Sequence, residues 1–234
     1  SCTVTSESDR KLRQSIHKVR RENKSAIIIL MGCMPQAFPE VAKTFEDVDI
    51  VIGNNNKCNL KSYIEEYKKN RERIFRVTDI KDNVKFEKDS GFSTFNNKYR
   101  AFLKIEDGCD RFCSYCIIPY ARGRVRSKPI DEIKRDVLKL CENNYKEIVL
   151  TGINLSSYGK DLNIGLIDAI NAVCSIPQVK RVRLGSLEPD LVSDEFINEI
   201  KKQKKLCPQF HLSLQSGCNK TLKNMRRLYT KEEY

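Results

Sequence analysis

The chain has 234 residues, with 43 Lys and Arg against 31 Asp and Glu, for a net charge of +12. Its longest apolar run, Ala26 to Met31, is far short of the ~18 residues needed to cross a bilayer, no signal-peptide pattern is present, and apolar runs recur too regularly for disorder, so a membrane-spanning and a disordered chain are excluded and a secreted one largely so. Ten cysteines are too sparse for a disulfide scaffold and point to metal binding or catalysis, while the positive excess favours an anionic partner, nucleic acid first.

In chain order, residues 1–5 read as the end of a buried strand. Residues 8–23 are predicted as a helix, with Leu12, Ile16 and Val19 at helical spacing. Strands are expected at 26–31 and 48–52 as continuous apolar runs, with a short helix at 39–45 between them and a charged helix at 60–70 after them. This is an α/β pattern with a parallel sheet. Residues 79–98 are polar and aperiodic and read as a linker, which divides the chain into an N-terminal domain at 1–78 and a second domain at 99–234. The second domain alternates again. Strands are predicted at 101–105, 147–151, 179–184 and 210–214, and helices at 129–143, 166–174, from about 193 and from about 219. Four consecutive βα units specify a partial parallel (β/α) barrel or a doubly wound sheet, and in either one the chemistry lies at the C-terminal strand ends.

The strand at 101–105 is followed by Cys109-Asp-Arg-Phe-Cys113-Ser-Tyr-Cys116, three thiols within eight residues and no fourth nearby. Structural zinc takes four ligands, commonly as two pairs, and the only two histidines, His17 and His211, read as structural. A four-iron cluster held by three thiolates leaves one iron open to chelate a substrate. A zinc site or unligated core thiols are the alternatives.

The C-x3-C-x2-C spacing, with Tyr115 before the last cysteine, resembles the radical S-adenosylmethionine enzymes. The run from Gly108 through Pro119, Arg122, Gly123, Arg124 and Arg126 to Pro129 resembles their methylthiotransferase branch. So do Thr151-Gly-Ile-Asn154 with Tyr158-Gly159, Arg183-Leu-Gly-Ser186-Leu-Glu188-Pro189, His211-Leu-Ser-Leu-Gln215-Ser216-Gly217 and Met225-Arg226-Arg227-Leu-Tyr229. Cys2-Thr-Val-Thr5 and Gly32-Cys33 are similar to the second and third cysteine motifs of that family's N-terminal domain. The branch most resembled acts on N6-threonylcarbamoyladenosine beside the tRNA anticodon, at position 37. A sister branch acts on N6-isopentenyladenosine, and a third relative on a ribosomal protein.

The resemblance implies that Cys109, Cys113 and Cys116 hold a radical-generating [4Fe-4S] cluster whose open iron binds S-adenosylmethionine. It implies that Cys2 and Cys33 are two of three ligands to an auxiliary [4Fe-4S] cluster, the third having no counterpart here. Tyr115, Gly152, Asn154, Ser186, Glu188 and Gln215 are the implied S-adenosylmethionine contacts, with Gly152 allowing close backbone approach. Plainer readings exist for several of these: a loop aromatic for Tyr115, an ordinary βα turn for Gly152 and Asn154, a turn cap for Ser186. Arg122, Arg124, Arg126 and Lys128 alternate, as in an extended segment whose charges share one face, and read as an RNA contact that tracks phosphates.

The implied reaction converts adenosine C2–H to C2–SCH3 with two S-adenosylmethionine molecules. Radical chemistry suits it because that hydrogen is not acidic. The implied partners are a tRNA anticodon stem-loop and a reductant such as flavodoxin or ferredoxin, and the protein is expected to be a cytoplasmic monomer. The chain is expected to be the middle of a longer protein that continues into further barrel strands and a small RNA-binding β-barrel. A non-catalytic iron–sulfur or zinc RNA-binding module is the reading from another class. Cys141 and Cys174 read as small core residues, 201–205 as a solvated helix end, and Cys58, Cys207 and Cys218 have no assigned role.

Overall fold

The computed structural model describes residues 1–3, 5–55, 57–82, 85–86 and 99–234. They fall into two units, Ser1–Val84 with Tyr115–Gly123, and Lys85–Ser114 with Arg124–Tyr234. The segment read as a linker, 79–98, lies largely outside the described residues; within it, Ile80 is buried in a single 3-10 turn, Ile80–Asp82. Among the described residues no helix is long and apolar enough to cross a membrane.

The first unit opens with α1 (Ser6–Glu22), which starts because Thr5 is extended and its hydroxyl accepts the Ser8 N–H at 3.2 Å. Glu7 and Asp9 in the first turn, with Arg20 and Arg21 in the last, match the helix dipole. β1 (Ile29–Met31), α2 (Cys33–Ala37), α3 (Pro39–Lys43), β2 (Ile50–Ile52), α4 (Leu60–Asn70) and β3 (Ile74–Arg76) follow. The strands form a parallel sheet in the order β1-β2-β3, with Leu30, Val51 and Phe75 in one row. β2 is buried on both faces. Val51 packs with Ile16, Leu30 and Phe45 on one side, while Ile50 and Ile52 pack with Ile74 and the Leu60, Tyr63 and Ile64 face of α4 on the other. The strand expected at 26–31 is shortened because the Asp49 carboxylate takes the Ile28 N–H at 2.7 Å and also binds Arg20 and Tyr67. Residues 1–3 are not the end of a buried strand, since Ser1 and Cys2 are exposed and Thr5 turns the chain directly into α1. Within this unit α5 (Ile118–Arg122) packs on α2.

The second unit runs β4 (Arg100–Lys104), β5 (Glu106–Asp107), β6 (Arg126–Ser127), α6 (Ile130–Glu142), β7 (Glu147–Thr151), α7 (Leu166–Cys174), β8 (Arg181–Leu184), β9 (Ser186–Leu187), α8 (Asp194–Lys201), β10 (His211–Leu212) and α9 (Asn219–Asn224). A parallel sheet, β4-β7-β8, aligns Ala101, Ile148 and Val182 in one row and Leu103, Leu150 and Leu184 in the next. These rows pack against Ile133, Val137 and Leu140 of α6 and Ala169, Ile170 and Val173 of α7. Cys141 and Cys174 lie in the same core, as their helical positions suggest. β8 passes through Gly185 into β9, which pairs in parallel with β10, while β5 and β6 form a short antiparallel pair. The βα order directs every following loop to the C-terminal strand ends.

Candidate functional site

In the second unit, the C-terminal ends of β4, β7 and β9 converge on Cys109 and Cys113. Ile105 prolongs the ladder beyond β4 by donating to the Thr151 carbonyl at 2.8 Å. Asp107 then accepts the Gly108 N–H at 2.9 Å, and Gly108, at φ +86°, makes the left-handed turn into Cys109 that favours glycine. Glu106 is fully buried beneath this turn. One of its carboxylate oxygens accepts the Asn154 N–H at 2.7 Å, and the other has no partner. Burial, reinforced by the neighbouring Asp107, pushes the Glu106 carboxyl up to about 8 despite that hydrogen bond.

Asn154 follows β7 and is 5% exposed. Its side-chain N–H group donates to Cys109 Sγ at 3.7 Å and to the Ser157 hydroxyl at 3.0 Å, while its carbonyl oxygen is buried without a partner. Cys109 and Cys113 are buried free thiols. Burial above all, with Glu106 and Cys113 adding to it, raises the Cys109 thiol above its ordinary value. Cys113 Sγ accepts from Arg227 Nη1 at 3.2 Å, and the other arm of the same guanidinium pairs with Glu188. Burial works against the Arg227 charge, but Glu188, Tyr229 and Cys113 together outweigh it and hold the guanidinium above its usual value. The cysteine loop is tied down twice more, by the Arg111–Asp190 ion pair and by the Ser114 N–H on the Met225 carbonyl at 3.3 Å. Glu188 is itself held by its N–H on the Ser156 hydroxyl at 2.8 Å. Ser186 and Gln215 are exposed, Gln215 in a left-handed turn at φ +64°.

Two buried thiols in no disulfide, beside unpartnered polar oxygens on Asn154 and Glu106, fit an iron–sulfur cluster with a polar ligand at hand. Among the described residues no three His, Cys, Asp or Glu side chains gather around a single ion. A four-iron cluster takes one thiolate per iron, so its ligands stand apart. Gly152 belongs to the same packing, because a Cβ there would stand 2.5 Å from Glu106 Oε2 and 2.9 Å from Glu106 Cβ. Gly152→Ala is expected to displace Glu106 and with it Asn154, lowering stability by about 1–3 kcal/mol in denaturant unfolding and reducing iron loading. Unfolding and loading like the parent's would show that the contact is relieved at no expense.

The first unit holds the other expected ligands. Cys116 is half-buried, and the Tyr115 ring is exposed. Cys33 begins α2 after Gly32, and its Sγ accepts from Arg122 Nε at 3.2 Å and Asn54 Nδ2 at 3.5 Å. The Cys33 N–H donates to the Ser1 carbonyl at 3.2 Å, so the exposed Cys2 is one residue along from a backbone partner of Cys33.

The cationic stretch does not present one exposed face. Arg126 and Lys128 are 4% and 2% exposed, paired with Asp107 and with Asp136 at 2.6 Å, and the Lys128 ammonium also sits over the Phe86 ring. Arg122 turns to the Cys33 sulfur. Arg124 alone of the four is exposed, pairing with Asp110 and lying over Phe112. Both β6 residues are buried, and Arg126 and Lys128 turn inward to acids supplied by β5 and α6.

Glu106, Asn54 and Arg227 were not singled out from the sequence. The Glu106-Asp107 pair directly before Gly108-Cys109 is a legible signal, since a strand end entering a ligand loop is an unusual place for two acids. Arg227 lay within a quoted motif without a role.

The Radical SAM superfamily matches residues 103–234, and the family described as Uncharacterized protein family UPF0004 matches residues 1–53. A curated relative, the threonylcarbamoyladenosine tRNA methylthiotransferase MtaB of Aquifex aeolicus, is 38% identical over 100% of this chain and 57% of its own length. The protein of that name from Thermotoga maritima is 39% identical over 98% of the chain and 52% of its own length. A tRNA-2-methylthio-N(6)-dimethylallyladenosine synthase of Clostridium botulinum is 37% identical over 92% and 48%. The chain thus spans about half the length of the curated relatives it matches. Among solved structures, the radical S-adenosylmethionine methyltransferase TsrM of Kitasatospora setae superposes with a TM-score of 0.65 at 16% identity, covering 94% of this chain and 49% of TsrM, a likeness of fold.

Proposed function

The chain belongs to the radical SAM superfamily, and from that premise we propose that it is part of a methylthiotransferase that converts N6-threonylcarbamoyladenosine at position 37 of tRNA to its 2-methylthio derivative. The observation that carries this reading is the match along 98–100% of the chain to relatives named for that modification. The buried thiols at the strand ends support it from the chemical side.

In this reading Cys109, Cys113 and Cys116 hold a [4Fe-4S] cluster that, when bound, supplies the electron for cleaving S-adenosylmethionine. Asn154 and Glu188 orient that molecule, with its backbone approach through Gly152 and further contacts from Tyr115, Ser186 and Gln215. Cys2 and Cys33 serve an auxiliary [4Fe-4S] cluster, where Arg122 and Asn54 donate to the Cys33 sulfur. A flavodoxin- or ferredoxin-type reductant, a monomeric state and a cytoplasmic location belong to the same proposal. Arg124 remains a candidate for phosphate contact, and Arg126 and Lys128 are structural.

The test is nucleoside analysis of tRNA from cells that lack the gene. The expected result is loss of 2-methylthio-N6-threonylcarbamoyladenosine with its unthiolated precursor retained. Loss of the 2-methylthio dimethylallyl nucleoside instead would transfer the protein to the sister reaction, and loss of neither would overturn the reading.

A further inference from the structure

Arg227 has no role in the site as assigned so far, yet it touches two of its members. Its Nη1 donates to Cys113 Sγ at 3.2 Å, and its other arm pairs with Glu188. The side chain is 4% exposed, so this is a desolvated bridge rather than a surface ion pair. A planar guanidinium can hold two partners along two separate N–H directions, which a lysine ammonium on a single flexible stem does not reproduce.

The backbone that delivers Arg227 is fixed independently. α9 ends in a left-handed turn at Arg226, φ +58°, and the Arg227 N–H closes on the Leu222 carbonyl at 2.9 Å. The Met225 carbonyl takes the Ser114 N–H from within the cysteine loop. The Tyr229 ring lies 5.4 Å from the Arg227 guanidinium, and its hydroxyl donates to the Leu214 carbonyl at 2.7 Å just beyond β10. Three attachments therefore set the guanidinium between the Cys113 sulfur and the Glu188 carboxylate.

Resting on the reading above, we infer that Arg227 is a positioning residue that couples the cluster to S-adenosylmethionine, raising the cluster's reduction potential through Cys113 while aiming Glu188. A cationic donor on a ligating sulfur stabilises the reduced, more negative cluster, and the effect is strengthened where water is excluded. The same charge fixes the Glu188 rotamer, so that the carboxylate meets its ligand already oriented.

The experiment compares the anaerobically reconstituted protein with Arg227→Gln, Arg227→Lys and Glu188→Gln. Iron content, the midpoint potential from a dithionite titration followed by electron paramagnetic resonance, and the S-adenosylmethionine concentration that half-converts the reduced-cluster signal are measured for each. Arg227→Gln is expected to load iron, to show a lower potential, and to need on the order of 10-fold more S-adenosylmethionine. Arg227→Lys is expected to restore most of the potential, because the charge remains, but not the affinity, because the bridge is gone. Glu188→Gln is expected to weaken binding while moving the potential upward, since Arg227 then loses its counter-ion. Parental potential and S-adenosylmethionine dependence in an iron-loaded Arg227→Gln or Arg227→Lys protein would overturn this inference and leave the functional reading standing. A parent protein that takes up no iron would overturn both.

Discussion

Replacing Cys109, Cys113 or Cys116 with alanine will reduce 5′-deoxyadenosine formation from S-adenosylmethionine to background and sharply lower the iron retained after anaerobic reconstitution. Hydrogen-bonding partners of metal ligands alone are worth about 10–100-fold, so a lost ligand is expected to exceed that range. Two internal controls exist. Cys141 and Cys174 are buried among Ile133, Val137, Ile170 and Val173 between α6 and α7, and burial raises both thiols above their ordinary value. Their alanine variants are expected to lose roughly 1 kcal/mol of packing and to load iron like the parent. Iron content and 5′-deoxyadenosine measured on all five variants check this together. Equal loss across the five would mean that the triplet is not special.

Glu147→Gln is expected to produce a large stability loss without touching the cysteine loop. Glu147 opens β7 and is 5% exposed. It binds Arg100 at 2.6 Å, Arg181 at 2.9 Å and Arg183 at 2.8 Å, so one carboxylate gathers the starts of three neighbouring strands. Burial opposes its charge, but the arginines more than compensate, and its pKa falls from 4.5 to about 2. Because the folded value is depressed, the stabilisation is complete above the ordinary carboxylate range and is lost as pH falls from about 4.5 toward about 2. Arg100 and Arg181 are half exposed or more, so solvent screening brings the stabilisation at neutral pH to about 1–2 kcal/mol. In a chain of this size that lowers the melting temperature by roughly 2–8 °C. The glutamine variant should also lose the part of the acid sensitivity in that window that Glu147 contributes, which thermal melts at pH 7 and pH 3 will read. A melting temperature within about 2 °C of the parent at pH 7 would remove Glu147 as the clamp of the sheet.

Three of the periodic elements were legible in the sequence to the residue. Leu60–Asn70, Glu147–Thr151 and Leu166–Cys174 form as expected, because an apolar stripe or run bounded by polar residues leaves little choice of burial. Elements that depend on partners were not. β3, three residues between charged flanks, exists because β2 offers it a parallel edge. The strand expected at 26–31 begins three residues late because Asp49, distant in sequence, claims the Ile28 N–H. The same limit explains the cationic stretch. Alternation suggested charges sharing a face, but Arg122 lies in α5, Arg124 is exposed, and Arg126 and Lys128 turn inward to Asp107 and Asp136. At the site, the cysteine spacing and the strand-end residues Gly152, Asn154 and Glu188 were visible as motifs. The contacts that organise them, Glu106 under Asn154 and Arg227 between Cys113 and Glu188, are long-range pairings that only the fold assembles.

The most direct test is anaerobic reconstitution of the purified protein with iron and sulfide, followed by one-electron reduction in the presence of S-adenosylmethionine. A brown iron–sulfur chromophore and the appearance of 5′-deoxyadenosine and methionine in equal amounts are expected. Stoichiometric zinc, no chromophore and intact S-adenosylmethionine would contradict the radical assignment and leave a metal-binding module without catalysis.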